Sequence, residues 1–279
     1  MRFRNSIKTA LALATVTIAA APLHAQTPPP VSSAVAQVDF ELMTWPELKK
    51  AIHEQGKTTA LIFNGGTEQR GPQGVAGAHT FVAKAVGREI ALKLGNAILA
   101  PILPYSPNSA SAELPGTIGV SGAVFAQLNE EVVEQLLTNG FRNVVLMGDH
   151  GGGQRELAEV AKKLDLKYAA QGKHVVYCDD VYRKAGSDFN KWLVAHGYPV
   201  GNHASIKDTS ELLYLEGNQP WIRKELLPTA VGQRSSEPGE HGNGISGDAR
   251  RSAPEIGKVI SGLKVDYAVA QIRQLLGEK

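Results

Sequence analysis

The sequence predicts an α/β fold built on a parallel sheet covered on both faces. Uninterrupted apolar runs recur at Thr59-Ala60-Leu61-Ile62-Phe63, at Ala97 to Leu103, at Val144-Val145-Leu146-Met147 and at His174-Val175-Val176-Tyr177-Cys178. Segments with helical spacing separate them, and strands without polar alternation are strands buried on both sides. The first and third runs lead into glycine-rich polar turns, Asn64-Gly65-Gly66-Thr67-Glu68-Gln69-Arg70-Gly71-Pro72 and Gly148-Asp149-His150-Gly151-Gly152-Gly153. Ligands of open α/β sheets bind outside the carboxyl ends of the strands. Two such turns point to one site assembled from distant parts of the chain.

In chain order, Arg2, Arg4 and Lys8 precede a short apolar stretch, Thr9 to Pro22, and Leu23-His24-Ala25 forms a cleavage-site pattern. Residues 1–25 therefore read as a secretory signal peptide, which makes the protein periplasmic or secreted, with no membrane attachment after cleavage. A retained anchor is the alternative. Residues 26–38, rich in proline, serine and alanine, read as a disordered leader. Residues 39–279 form the folded domain. Thr44-Trp45-Pro46-Glu47-Leu48 predicts an N-capped helix running through Ile52. Further helices are predicted over Ala78–Leu94, stopped by Gly95, over Gly122–Asn139, closed by Gly140, and over residues 154–171. Beyond residue 180 the pattern loosens. A helix is expected over residues 209–215, a long loop near the site over 232–251, and a C-terminal helix over 259–276.

The chain has 279 residues, 43% hydrophobic and 20% charged, enough for one large core. Residues 1–25 carry three basic and no acidic groups, so the formal charge of +2 becomes −1 once they are removed. Nothing in the mature chain suggests a nucleic-acid partner, which would call for a basic patch. Cys178 is the only cysteine and sits in an apolar run, so it reads as a core thiol and no intramolecular disulfide forms.

Glu68 is a carboxylate on a tight turn after a buried strand, where it needs a cation, a donor or a proton; a capping or surface role is the alternative. His150 lies among glycines that let the backbone approach a ligand, and histidine is the commonest metal ligand. Its turn lacks the lysine of a phosphate-binding loop. His79 opens a helix eleven residues after Glu68. Glu68, His79 and His150 together make a one-carboxylate, two-imidazole set suited to one divalent metal, Zn²⁺ first, with Mn²⁺ or Fe²⁺ as alternatives. Water bound to such a metal drops to a pKa near ~7 and becomes a hydroxide nucleophile. His203, on a loop before a helix, is a candidate general acid or base, and Asp208 either caps that helix or orients a ligand.

These residues resemble the creatininase, or creatinine amidohydrolase, superfamily over residues 40 to 275. The family's Gly-Ser-Thr-Glu-Gln-His-Gly-Pro-His reads here Gly65-Gly66-Thr67-Glu68-Gln69-Arg70-Gly71-Pro72-Gln73. Its Pro-Tyr and Pro-Gly-Thr segments match Pro104-Tyr105 and Pro115-Gly116-Thr117, and its Gly-Phe-Arg matches Gly140-Phe141-Arg142. Its Asn-Gly-His-Gly-Gly-Asn matches Gly148 to Gly153, its His-Ala-Gly…Glu-Thr-Ser matches His203-Ala204…Asp208-Thr209-Ser210, and its late Gly-Asp-Pro matches Gly247-Asp248-Ala249. The resemblance implies a three-layer α/β/α sandwich with a mainly parallel sheet, a homo-oligomer (often a hexamer), and hydrolysis of small cyclic amides with Zn²⁺ or Mn²⁺. It also implies two metals, one on the positions of Glu68 and His150. The second would take a His where Arg70 stands and, in creatininase itself, a Glu where Gly152 stands. An Asp where His79 stands would bridge them.

One imidazole nitrogen cannot bridge two cations, and Arg70 is a permanent cation at the second metal's ligand. The expectation is therefore a mononuclear site on Glu68, His79 and His150. Arg70 would hold an anionic substrate or stabilise an oxyanion; its alternative is a structural salt bridge to Glu68 or Asp149. Ser111, where many members have a histidine, and Asp149, Gly151 and Gly152 are candidate substrate contacts. The expected activity is hydrolysis of a small cyclic amide, lactone or related carbonyl compound, with His203, Arg70 and Asp208 assisting. A lyase or isomerase on the same site and a non-catalytic binding protein are the competing readings.

Overall fold

The computed structural model describes residues 37–108, 114–233 and 242–278. The stretch expected to be a signal peptide, nearly all of the expected leader, Ser111 and part of the expected 232–251 loop lie outside the described residues. The four apolar runs form parallel strands β1 (Thr59–Asn64), β2 (Ala97–Leu99), β3 (Asn143–Gly148) and β4 (His174–Tyr177), in the order β2-β1-β3-β4. β2 is shorter than the apolar run, because Pro101 has no N–H for the ladder. Pairing resumes at Leu103, whose carbonyl accepts the Gly65 N–H at 2.8 Å. Val38, assigned to the leader by composition, is fully buried, and its carbonyl accepts the Leu99 N–H at 2.7 Å. Edge pairing draws that residue into the fold.

Alternate strand residues feed two cores. Leu61, Phe63, Leu99, Val145 and Met147 pack with residues of α2 (Ala78–Leu94), α6 (Ile206–Leu215) and α7 (Pro254–Leu275). Ala60, Ile62, Ile98, Val144, Leu146 and Val175 pack with residues of α1 (Trp45–His53), α3 (Gly122–Thr138) and α4 (Gln154–Tyr168). The result is a three-layer α/β/α sandwich, as the sequence predicts.

Helix α2 has the predicted limits, with Gly95 left-handed at its end (φ +80°). Helix α4 ends at Tyr168, and residues 169–171 tighten into a 3₁₀ turn. Helix α5 (Arg183–Ala195) was not anticipated, although Ala185, Phe189 and Leu193 repeat every four residues and bury against Ile206, Ile256 and Ile260. Helix α7 begins at Pro254, earlier than predicted, with proline at its tolerated first-turn position. Helix α6 begins at Ile206 after Ser205, so Asp208 lies inside the first turn instead of capping it.

From β1 the chain passes through α2 to β2 on one side, then crosses through α3 to β3 on the other side of β1. That reversal creates a switch point between β1 and β3, where the connecting loops part. The two strands leave the sheet in register, Asn64 opposite Gly148. The buried Asn64 amide clamps the exit, donating to Asn129 Oδ1 at 2.9 Å and to the Met147 carbonyl at 3.1 Å.

Candidate metal centre

Beyond Asn64 the chain runs close against the start of α2. A Cβ at Gly65 would lie 2.7 Å from Thr80 Cα, so only glycine allows the approach. The Thr67 hydroxyl donates to the Pro104 carbonyl at 3.0 Å, and the Glu68 N–H donates to the Ala76 carbonyl at 3.0 Å. These contacts hold Glu68 over the switch point. His79 sits in the first turn of α2 and His150 two residues beyond β3. One ligand atom from each of Glu68, His79 and His150 lies within 4.8 Å of the others. Glu68 Oε2 is 3.3 Å from His79 Nε2 and 3.5 Å from His150 Nε2.

This donor set fits a divalent cation. His79 meets Asp149 Oδ2 through Nδ1 at 2.7 Å, which leaves Nε2 to face Glu68. A histidine ligand held by a carboxylate on its other nitrogen is the usual outer arrangement of a metal site. His150 offers Nε2, but its Nδ1 accepts the Gly152 N–H at 2.9 Å. Ligation through Nε2 requires that contact to be given up. The Arg70 guanidinium also stands against the set. It contacts His79 Nε2, lies 3.6 Å from Glu68 Oε2, and reaches Asp208 Oδ2 at 3.4 Å.

The site is strongly charged and largely buried. Burial opposes ionisation of Glu68, but the hydrogen bond from His150 and the charges of Arg70 and His203 outweigh it and hold the carboxyl at about 2. Burial, then the Arg70 charge, keep His79 neutral, with its value lowered to about 4 against the pull of Asp149. The same two causes lower His203. Asp208 stays ionised despite burial because Arg70 and Lys207 face it. The groups border a cavity of about 560 Å³.

His203 joins the cluster as expected. Its Nδ1 is 3.6 Å from Glu68 Oε2, and its Nε2 meets the Gln69 carbonyl at 2.8 Å. Arg70 pairs with Glu68, one of its two alternative salt-bridge partners, and with Asp208 in place of Asp149. Asp149 departs from the substrate-contact expectation. It borders the cavity, but Oδ2 is taken by His79 and Oδ1 by Lys264 Nζ at 2.6 Å. The Gly152 N–H is likewise spent on His150, while Gly151 lines the cavity. A Cβ at Gly152 would lie 1.8 Å from the Pro107 carbonyl oxygen, so this backbone has no room for a side chain there.

Lys264, Glu211 and Gln69 were not singled out from sequence. The signal for Lys264 was present: with Ser261 it places polar groups among the apolar residues of α7, where Ile260, Val265 and Ala268 are buried.

Comparison with known proteins agrees with this fold. The family model described as creatininase, creatinine amidohydrolase, matches residues 41–272. The 3-dehydro-scyllo-inosose hydrolase of Thermotoga maritima is 32% identical over 117 residues, which is 41% of this chain and 36% of that protein, so the chain aligns with little more than a third of that relative's length. A crystal structure of creatinine amidohydrolase superposes with a TM-score of 0.69 at 20% identity, covering 88% of this chain and all of that one. A manganese creatininase structure gives 0.68 at 21% identity, covering 85% and 98% of the two chains. A mutant creatininase of Zn–Zn type gives 0.67 at 21% over the same shares.

Proposed function

Because the chain belongs to the creatininase family, a family of metal-dependent hydrolases, we propose that it is an exported hydrolase of a small cyclic amide or related cyclic carbonyl compound, working with one divalent cation. The observation that carries this reading is the convergence of Glu68, His79 and His150 beside the cavity. Two further observations support a single cation. The Arg70 guanidinium stands where the family resemblance puts a second metal's histidine, and the Pro107 carbonyl fills the space that a side chain at residue 152 would need.

A cation on Glu68, His79 and His150 supplies Lewis acidity and an acidified water. Zn²⁺ is the first choice for the donor set, with Mn²⁺ or Fe²⁺ as alternatives. The chain's own groups do the rest. His203 is anchored through Nε2 on the Gln69 carbonyl, so its Nδ1 faces Glu68 and Arg70 and can accept and return a proton there. Arg70, braced by Asp208, presents positive charge to an oxygen that becomes negative during carbonyl attack. The proposal places the work in the periplasm or exterior, on the signal-peptide pattern of residues 1–25, and in a homo-oligomer, a hexamer, on the family resemblance.

The Thermotoga relative favours a second reading, in which the substrate is a cyclic polyol diketone: hydroxide adds to one carbonyl, the adjacent ring C–C bond breaks to give a carboxylate, and the departing carbon, held as the enolate of the second carbonyl, takes a proton. Asn202, Lys207 and Ser246 on the cavity wall suit hydroxyl groups. The test is a panel of cyclic amides, lactones and cyclic polyol diketones, run in ¹⁸O-labelled water with chelated and metal-restored protein. Label entering one product class, restored by metal and lost with metal content in Glu68→Gln, is expected. Turnover indifferent to chelation, or turnover without label, would sink the hydrolase reading.

A further inference from the structure

We propose that Lys264 is a positioning residue for the metal centre, acting through Asp149 on the ligand His79; the assignment rests on the metal reading above. Lys264 comes from the middle of α7, with its side chain only 8% exposed. Its Nζ lies 2.6 Å from Asp149 Oδ1 and 2.7 Å from Glu211 Oε2. Glu211, on α6, accepts the Ser261 hydroxyl through its other oxygen at 3.2 Å. Asp149 turns its remaining oxygen to His79 Nδ1. A continuous buried chain therefore runs from two helices to the imidazole that faces Glu68.

Burying an ammonium between two carboxylates is a poor way to gain stability, since the desolvation penalty rivals the attraction and apolar replacements often do as well. The arrangement does something packing cannot. With Oδ1 held by Lys264, Asp149 has one orientation, and its Oδ2 can accept only the His79 Nδ1–H. That fixes the tautomer and leaves the Nε2 lone pair on the side shared with Glu68, where the Arg70 guanidinium now meets it and a cation would bind. Asp149 also immediately precedes His150, so the same ammonium anchors the backbone that carries the other imidazole. Lys264 thereby constrains two of the three ligands while touching neither. Flanked by two carboxylates, the ammonium keeps its proton firmly, which rules it out as a base or nucleophile.

The test uses the mature chain and two variants, Lys264→Met and the combined Lys264→Met/Glu211→Gln, the second removing the carboxylate charge that the first leaves unpaired. Zn²⁺ affinity is measured by competition with a chromogenic chelator. The His79 tautomer is read from long-range ¹H–¹⁵N spectra of metal-free protein. We expect Zn²⁺ affinity ~10–100-fold lower, the range for loss of an outer partner, and loss of the single Nδ1–H tautomer in at least the combined variant. Zn²⁺ binding within twofold of wild type with the tautomer retained would overturn the proposal, as would failure of both variants to fold. Wild-type protein that binds no Zn²⁺ would refute the metal reading instead, and the tautomer would still decide the role of Lys264.

Discussion

The two sides of the metal centre are built differently. On the Lys264 side, His79, Asp149, Lys264 and Glu211 come from helices and a strand exit, and they meet at 2.6–2.7 Å with each oxygen assigned to one partner. On the Arg70 side, the guanidinium faces His203 and Asp208 at 3.4 Å each, and it is shared with Glu68 and with His79 Nε2 as well. Glu68 Oε2 joins the halves, lying 3.3–3.6 Å from His79, His150, Arg70 and His203. Tight contacts with one partner each define a single geometry. Looser contacts with interchangeable partners leave room for a charge to move when a ligand arrives. The Lys264 half therefore positions, and the Arg70 half responds.

Arg70→Met breaks this contrast most severely. The guanidinium competes with a divalent cation for Glu68 Oε2 and His79 Nε2, so its removal raises metal affinity. It also removes the positive charge offered to the reacting oxygen, which lowers kcat by ~10²–10³. Opposite movements of metal affinity and turnover, measured by chelator competition and steady-state kinetics, are the expected signature. Metal content that falls along with activity would place Arg70 in the positioning half.

Acid sensitivity gives the next largest effect and reports on the Lys264 half. His79 is held at about 4 by burial and by Arg70, whereas an unfolded histidine titrates near 6.5. Between those values the unfolded chain binds more protons than the folded one. Stability in the absence of metal is thus flat above pH 6.5 and falls as the pH drops towards 4, by on the order of 3 kcal/mol from this residue. His203 is shifted the same way and adds to the fall. Glu68, at about 2 against an ordinary 4.5, extends it below pH 4.5. Urea unfolding of metal-free protein from pH 8 to 4.5 measures this. In His79→Gln the slope between 6.5 and 4.5 should shrink to the His203 contribution, and an unchanged slope would contradict the assignment.

How far the sequence could be read divides along the same line. The strands and helix α2 were legible because apolar runs and helical spacing report burial directly, and Glu68, His79 and His150 were legible because each follows or opens such an element. Residues whose role depends on two helices meeting were not. Nothing local in residues 206–215 or 254–275 says that Glu211 and Lys264 face each other, and a lysine in a helix is ordinarily solvated. Helix α5 was missed for a simpler reason: Ala185, Phe189 and Leu193 keep helical spacing, but charged and polar residues and Gly186 fill most of the stretch between them. Asp149 reads as a substrate contact because it lies on the glycine-rich turn after an apolar strand; only the tertiary contacts show that both oxygens are taken.

The smallest effect, and the sharpest probe of where the two halves meet, is Gly152→Ala. The φ of Gly152 is not in the left-handed region, so alanine is not strained by its backbone conformation. The conflict is purely steric, with a Cβ 1.8 Å from the Pro107 carbonyl oxygen and 3.1 Å from His150 Nδ1. Either Pro107 retreats or the turn carrying His150 shifts, and overpacking of this kind destabilises by about 1–3 kcal/mol. The urea midpoint should fall with an unchanged denaturant slope. Metal stoichiometry should stay at one, because the added methyl supplies no ligand and Arg70 is still in place. An unchanged midpoint would mean that the Pro107 segment yields freely. Space beside residue 152 would then be open, and the exclusion of a second cation would rest on the guanidinium alone.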